Sequence, residues 1–322
     1  MVKRMFISLI CIAACLAGCS INIPLIPGPE PLREQMIEGR GSNKILIMDI
    51  TGFISERDKD RSLFSNASPS IVARVREALQ KAESDKDIAG IIIRINSPGG
   101  TITASDIIHH EILRFKARKR IPVYSCIMSI GTSGGYYIST ATDNITAHPT
   151  SIIGSFAVMI MTMNIEGLMN KIGVRELTIK SGDKKDILSP FRTATPDEKQ
   201  IVQAIINQFH EKFADAIEAR PGNTLSRKDI NALSDGRIYS SRQALESKII
   251  DRIGYLDEVI DDLKKKIGVA DARIVTYYLP GSYKGTIYSS SPSPSALNTG
   301  IVGEGSGLDW LGETQFLYLW RP

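Results

Sequence analysis

The sequence is poor in the residues that most often carry cross-links or acid–base chemistry. Four cysteines, four histidines and two tryptophans occur in 322 residues. Charge of one sign is lacking too: 39 basic side chains face 35 acidic ones, a net +4. Lys3 and Arg4 precede the first apolar run, and without them the balance is +2. A body this close to neutral has no electrostatic footprint for a polyanion, so nucleic acid is excluded as a partner. The leading apolar run, Met5 to Cys15, falls short of the roughly 20 residues a bilayer span needs. No internal repeat is present. With 43% hydrophobic and 23% charged residues the chain reads as globular.

The position of the cysteines decides what they do. Cys11, Cys15 and Cys19 all lie in the first nineteen residues. Lys3 and Arg4 form a positive leader, the apolar run has the length of a signal core, and Leu16-Ala17-Gly18-Cys19 follows. That tetrapeptide resembles the lipobox of bacterial lipoproteins, which implies cleavage of residues 1–18 and lipidation of Cys19. The protein is then a membrane-anchored lipoprotein facing the periplasm or another extracytoplasmic side. Ser20, with no acidic retention residue after Cys19, favours the outer membrane of a two-membrane bacterium, while the resemblance carried by the motifs of the body favours the cytoplasmic membrane, so inner and outer membrane both stay open. Cys126 is left alone, which removes any intrachain disulfide, and its apolar setting marks it as a core thiol. Four prolines between 24 and 31 mark residues 19–42 as a tether.

From 43 to 280 strand and helix signals alternate. Strands are expected at Ile45–Ile50, Gly90–Ile95, Ile121–Met128, Glu176–Ile179 and Ile274–Leu279. Helices are expected at 69–83, 103–118, 196–218, 226–233, 241–247 and 255–267. The longest starts at Thr195-Pro196-Asp197-Glu198, a capping box with proline at the first helical position. This order predicts an α/β fold with a largely parallel sheet flanked by helices. Residues 281–322 are expected to be a flexible tail, rich in serine, proline and glycine. Its apolar end, Phe316 to Trp320, suits either docking on the body or a visit to a peptide-binding groove.

Two glycine-rich points carry the chemistry. Asn96-Ser97-Pro98-Gly99-Gly100 follows a buried strand, where glycines leave backbone N–H groups free to face a developing negative charge. Gly131-Thr132-Ser133-Gly134-Gly135 places Ser133 at a sharp strand-to-helix turn, as in the elbow of esterases. A histidine base is poorly provided: His109 and His110 precede the serine, His148 follows it closely and His210 lies inside a helix. A lysine can replace histidine if it is neutral. Lys180, Lys184 and Lys185 are available, although composition alone reads them as solvated loop charges. No cofactor and no metal site are expected.

Ser97-Pro98-Gly99-Gly100, Ser133-Gly134-Gly135-Tyr136-Tyr137, Gly154-Ser155 and Lys180-Ser181-Gly182 with Lys185-Asp186 occur in this order. Asp235-Gly236-Arg237 and Ile250-Asp251-Arg252 continue the series. The ordered set resembles the bacterial signal peptide peptidase A family, in its half-length form. The resemblance implies a Clp-protease/crotonase-like fold and a ring-forming oligomer, an octamer being the candidate size. It also implies a Ser-Lys dyad: Ser133 as nucleophile, Lys185 as base, Ser155 as the hydroxyl that orients the base, and Gly100 and Gly134 as oxyanion-hole donors. Peptide substrates, signal peptide remnants among them, would be cut at sites shared between subunits. Ile130, Ile153 and Phe156 are candidates for the pocket or for plain core. The competing readings are a Ser-His esterase, an acyl-CoA enzyme of the same fold, and a non-catalytic peptide-binding lipoprotein.

Overall fold

The computed structural model describes residues 31–58, 68–279, 284–289 and 316–319. Met1–Pro31 is a unit separate from Leu32–Pro322, and the signal segment with Cys19 lies outside the described residues. In the body the strands are β1 (Arg33–Glu38), β2 (Lys44–Thr51), β3 (Ile88–Ser97), β4 (Gly99–Thr101), β5 (Val123–Thr132) and β6 (Asn144–Ala147). They continue with β7 (Ile152–Gly154), β8 (Met159–Ile160), β9 (Ile238–Ser240), β10 (Arg252–Ile253), β11 (Arg273–Tyr278) and β12 (Phe316–Leu319). The helices are α1 (Ile71–Ser84), α2 (Ile102–Lys119), α3 (Gly134–Ser139), α4 (Glu166–Lys171), α5 (Pro196–Glu218), α6 (Arg227–Leu233), α7 (Ser241–Glu246) and α8 (Leu256–Ile267).

The main sheet runs β1-β11-β2-β3-β5-β6-β10, with β7 joined to the end of β5. Every pairing from β11 to β10 is parallel, and only β1 and β9 attach antiparallel. The predicted α/β class with a largely parallel sheet is what is found. A parallel sheet covered on both faces needs strands that are apolar throughout, and β3, IAGIIIRINS, is such a strand. Its alternate residues divide between two cores. Ile91, Ile93 and Ile95 pack with α1 and α2, while Ile92 packs with Cys126 and with Leu256, Val259, Ile260 and Leu263 of α8. Arg94 interrupts the run, and pairing offsets the cost of burying its charge: Nε donates to Asp49 at 2.7 Å, and Lys284 reaches the same carboxylate at 2.7 Å.

The strongest helix signal also forms as expected. Glu198 N–H donates to Thr195 Oγ1, and Thr195 N–H donates to Glu198 Oε2, so the capping box at α5 is closed from both sides. Three expectations need correction. Glu176–Ile179 forms no strand: Leu177 and Ile179 are 88% and 92% exposed, and no strand pairs with this stretch among the described residues. Residues 33–38, expected within the tether, form the edge strand β1 against β11. Within the stretch expected to be flexible, Lys284–Ser289 is held to the body by Asp49 and Arg94, and Phe316–Leu319 is strand β12. No helix among the described residues is long and apolar enough to cross a membrane.

Candidate active site

β3 and β5 end side by side, with Ser97 opposite Gly131. This brings the two glycine-rich points together at one edge of the sheet. Ser97 is buried; its hydroxyl donates to Gly52 O at 2.6 Å and accepts from Gly99 N–H at 3.0 Å, which fixes the turn into β4. Gly99 has φ +107°, which favours glycine. Gly100 has no room for a side chain, since a Cβ there would lie 1.9 Å from Ile54 O. Backbone bonds from Ile54 N–H to Gly99 O and from Thr101 N–H to Ile54 O tie one side of β4 to residue 54. Strand alternation therefore turns the N–H of Gly100 to the other side.

Ser133 lies between β5 and α3, at φ 52° and ψ −116°. A non-glycine residue held there costs about 1–3 kcal/mol and persists only where its surroundings impose it. Its N–H donates to Gly154 O at 2.8 Å, which locks the elbow to β7. Its side chain is fully buried, and Oγ has no hydrogen-bond partner among the described residues. Gly134 follows; a Cβ there would lie 2.4 Å from Ser105 Oγ and 3.3 Å from Gly100 N. The structure thus brings Ser133, Gly134 and Gly100 together.

Ser155 comes to the same place through Gly154, which pairs with Thr132. Both residues adopt positive φ, 112° and 56°, and Ser155 N–H donates to Arg237 O at 2.7 Å. The Asp-Gly-Arg motif at 235–237 therefore supports the backbone of Ser155. Lys185 is not brought to Ser133 within one copy. It is exposed on the segment after α4, among turns spanning 181–188. The three lysines there differ in their bonding. Lys180 pairs with Asp186 at 2.6 Å and Lys184 with Asp197, whose bond holds the Lys184 ammonium above its ordinary value. Lys185 Nζ makes no such bond among the described residues. Arg192 orders the segment by forking onto Asp186 and Glu198. Arg192, with the backbone N–H of Thr195, lowers the Glu198 carboxyl to about 2, and Arg192 with Lys180 pulls Asp186 well below the usual range.

The other candidates are committed elsewhere. Burial pushes the Cys126 thiol up to about 12, as befits a core residue. His148 Nδ1 bonds Thr150, and His210 Nε2 meets Ser234 O at 3.0 Å. His109 packs on Tyr137, and burial lowers it to about 4. Ile153 and Phe156 are core, Phe156 lying against Tyr136, Phe213 and Tyr239. No cluster of three metal-ligating side chains occurs among the described residues. Sequence reasoning missed Ile54, which clamps β4, and Arg192, which orders the lysine segment. Neither carries a local motif.

Residues 115–270 match the family described as peptidase family S49. The chain is 33% identical over 77% of its length to an Enterococcus faecium protein named for signal peptide peptidase, and spans 71% of that protein. It is 33% identical over 62% of its length to a protein of Methanocaldococcus jannaschii named as a protease, spanning 63% of it. Protease 4 of Haemophilus influenzae is 28% identical over 70% of the chain, which spans about a third of that longer protein, 35%.

Proposed function

The chain belongs to peptidase family S49, and from that membership we propose that it is a serine endopeptidase with Ser133 as nucleophile and Lys185 as base. The observation that carries the reading is the Ser133 elbow: a strained, buried serine with an unpartnered hydroxyl beside the backbone N–H groups of Gly100 and Gly134. Neutral Lys185 takes the hydroxyl proton as Ser133 Oγ bonds to a peptide carbonyl carbon. The N–H groups of Gly100 and Gly134 hold the oxyanion. The C–N bond then breaks, and Lys185 returns the proton to the leaving amine. Water attacks the ester carbon and gives a proton to Lys185; the C–O bond to Ser133 then breaks, the carboxylic acid product leaves, and Lys185 passes that proton to Ser133 Oγ, which restores both groups. Ser155, beside the elbow, orients the lysine.

A second copy supplies the lysine. Lys185 is exposed, its ammonium makes no bond among the described residues, and its neighbourhood carries an apolar surface that one copy leaves uncovered: Met163, Leu168, Ile172, Val174, Leu177 and Ile179. An exposed patch of this kind marks an interaction surface. Docked on the next copy it would carry Lys185 to that copy's Ser133 and build a Clp-like ring, with an octamer as candidate size. Such a chamber admits short or unfolded peptides, and an anchor at Cys19 would set it at the membrane among signal peptide remnants. The Ser-His reading has less support, because His148 and His210 are bonded elsewhere.

The test is peptide cleavage by purified protein. Ser133→Ala and Lys185→Ala are each expected to lose activity, and a mixture allowed to exchange subunits is expected to regain part of it. Near-normal activity in both variants contradicts the proposal; two inactive variants that never complement place serine and lysine in one copy.

A further inference from the structure

Glu176–Ile179 alternates as a strand does, yet it pairs with no strand among the described residues, and Leu177 and Ile179 stand exposed. The fold also holds a strand edge without a neighbour. β9 is bonded to β7 and to no other strand among the described residues. Arg237 O accepts from Ser155 N–H, so Arg237 and Tyr239 face β7, and alternation turns the N–H and C=O of Ile238 outward. The Ile238 side chain is 40% exposed. Beside it runs a groove of about 290 Å³, lined by Pro149, Ile152, Ile238 and Gln243.

Reach and direction tie this edge to the lysine segment. β5, β7 and β9 lie side by side, with Thr132, Gly154 and Ile238 level with one another. A strand added to β9 would lie three strand spacings from β5, about 14 Å from the Ser133 elbow. Lys185 follows Ile179 by six residues, which span at most about 20 Å. An antiparallel arm would run from the Ser240 end of β9 to the Arg237 end, the end that holds Ser155 beside the elbow. That order brings exposed Glu176 to the end where Arg242 is exposed, a pairing of opposite charge. Leu177 and Ile179, two apart, share one face and would lie over the groove. The groove between Lys116, Arg120 and Asp143 is out of reach, because Asp143 holds the start of β5. The ten residues of β5 put that end about 33 Å from Ser133.

We propose that the outer edge of β9 receives Glu176–Ile179 of a second copy as an antiparallel added strand. This rests on the reading above that Lys185 serves the Ser133 of another copy. Main-chain bonds to Ile238 supply affinity, and the groove that takes Leu177 and Ile179 sets the register. Arm and edge are different surfaces of one chain, so the contact is head-to-tail and repeats from copy to copy, as a closed ring requires.

The full-length protein tests this. Benzoylphenylalanine is placed at position 179, the protein is allowed to exchange subunits with isotope-labelled wild type, and light-induced cross-links are located by mass spectrometry. Links from position 179 to 149–152 or 238–240 of the labelled copy are expected. Links within one copy only, to another segment of the labelled copy or to a co-purified peptide, or no links at all, overturn the proposal. Ile238→Pro removes the outward N–H and leaves the bonds of Arg237 and Tyr239 to β7 in place. It should weaken association about tenfold, read by light scattering, and unchanged association contradicts the added strand. Charge reversal gives a measurement that needs no proline: Glu176→Arg and Arg242→Glu should each weaken assembly, and the double variant should regain it. Equal loss in all three overturns the antiparallel order. Cross-links at β9 with no cleavage and no phosphonate label on Ser133 uphold the docking and overturn the peptidase reading; cleavage with the links elsewhere does the reverse.

Discussion

Among the described residues the hydroxyl of Ser133, like that of Thr132 before it, is buried with no hydrogen-bond partner, although the backbone around it is over-determined. The N–H of Ser133 is fixed to Gly154 O, and a Cβ on Gly134 after it would meet Ser105 Oγ. The two oxyanion glycines should therefore answer differently to a methyl group. In Gly100→Ala the new Cβ meets the backbone oxygen of Ile54 at 1.9 Å, which cannot turn away. β4 must shift, and loss of one donor predicts a fall in kcat of about 100-fold or more, read by peptide cleavage. In Gly134→Ala the nearest atom is the hydroxyl of Ser105 at 2.4 Å, a group that can be removed. Gly134→Ala with Ser105→Ala should recover part of the activity lost by Gly134→Ala alone, whereas equal activity in the single and double variants contradicts the steric account. At this scale much of the site was legible, because glycine pairs after strands and a serine in an elbow have local causes. The partner of Ser133 came only through the family resemblance, which implied Lys185 and a site shared between subunits, since no local pattern marks one exposed loop lysine out from its neighbours.

Among the elements, α5 and the segment before it are joined by Arg192. The guanidinium holds Asp186, the neighbour of Lys185, and Glu198, the third residue of α5. Glu198 stands at about 2 in the folded chain against an ordinary 4.5. A depressed carboxyl contributes stability above its unfolded value, and that contribution is lost as pH falls from about 4.5 toward 2. Arg192→Gln should flatten the stability-against-pH curve over that window, measured by thermal unfolding, and should also lower cleavage by loosening the Lys185 segment. An unchanged acid slope contradicts the clamp. The helices were readable because caps and stripes are local, and the α5 box is an example. Glu176–Ile179 misled for the converse reason: alternating apolar residues suit a strand, but a strand needs a neighbour. Its exposed Leu177 and Ile179 have none in a single copy. β1 went unrecognised because an edge strand with one partner shows little periodicity.

For the whole molecule, the parallel order of the sheet followed from alternating signals, but the second sheet did not. β4, β12 and β8 are short and come from distant parts of the chain, so their meeting is a property of the fold and of no single segment. If the arm around Lys185 docks on a second copy, replacing Leu177 and Ile179 with aspartate should lower the assembly mass, seen by light scattering, and cleavage together. A smaller assembly with full activity contradicts a shared site. The central claim, that Ser133 acts as nucleophile with Lys185 as its base, is tested most directly by phosphonate labelling with the adduct located by mass spectrometry. The account predicts one adduct, on Ser133, absent in Ser133→Ala and slowed about 100-fold or more in Lys185→Ala, the scale of general-base assistance. An adduct on another residue, or labelling of Ser133 at an unchanged rate without Lys185, would contradict it.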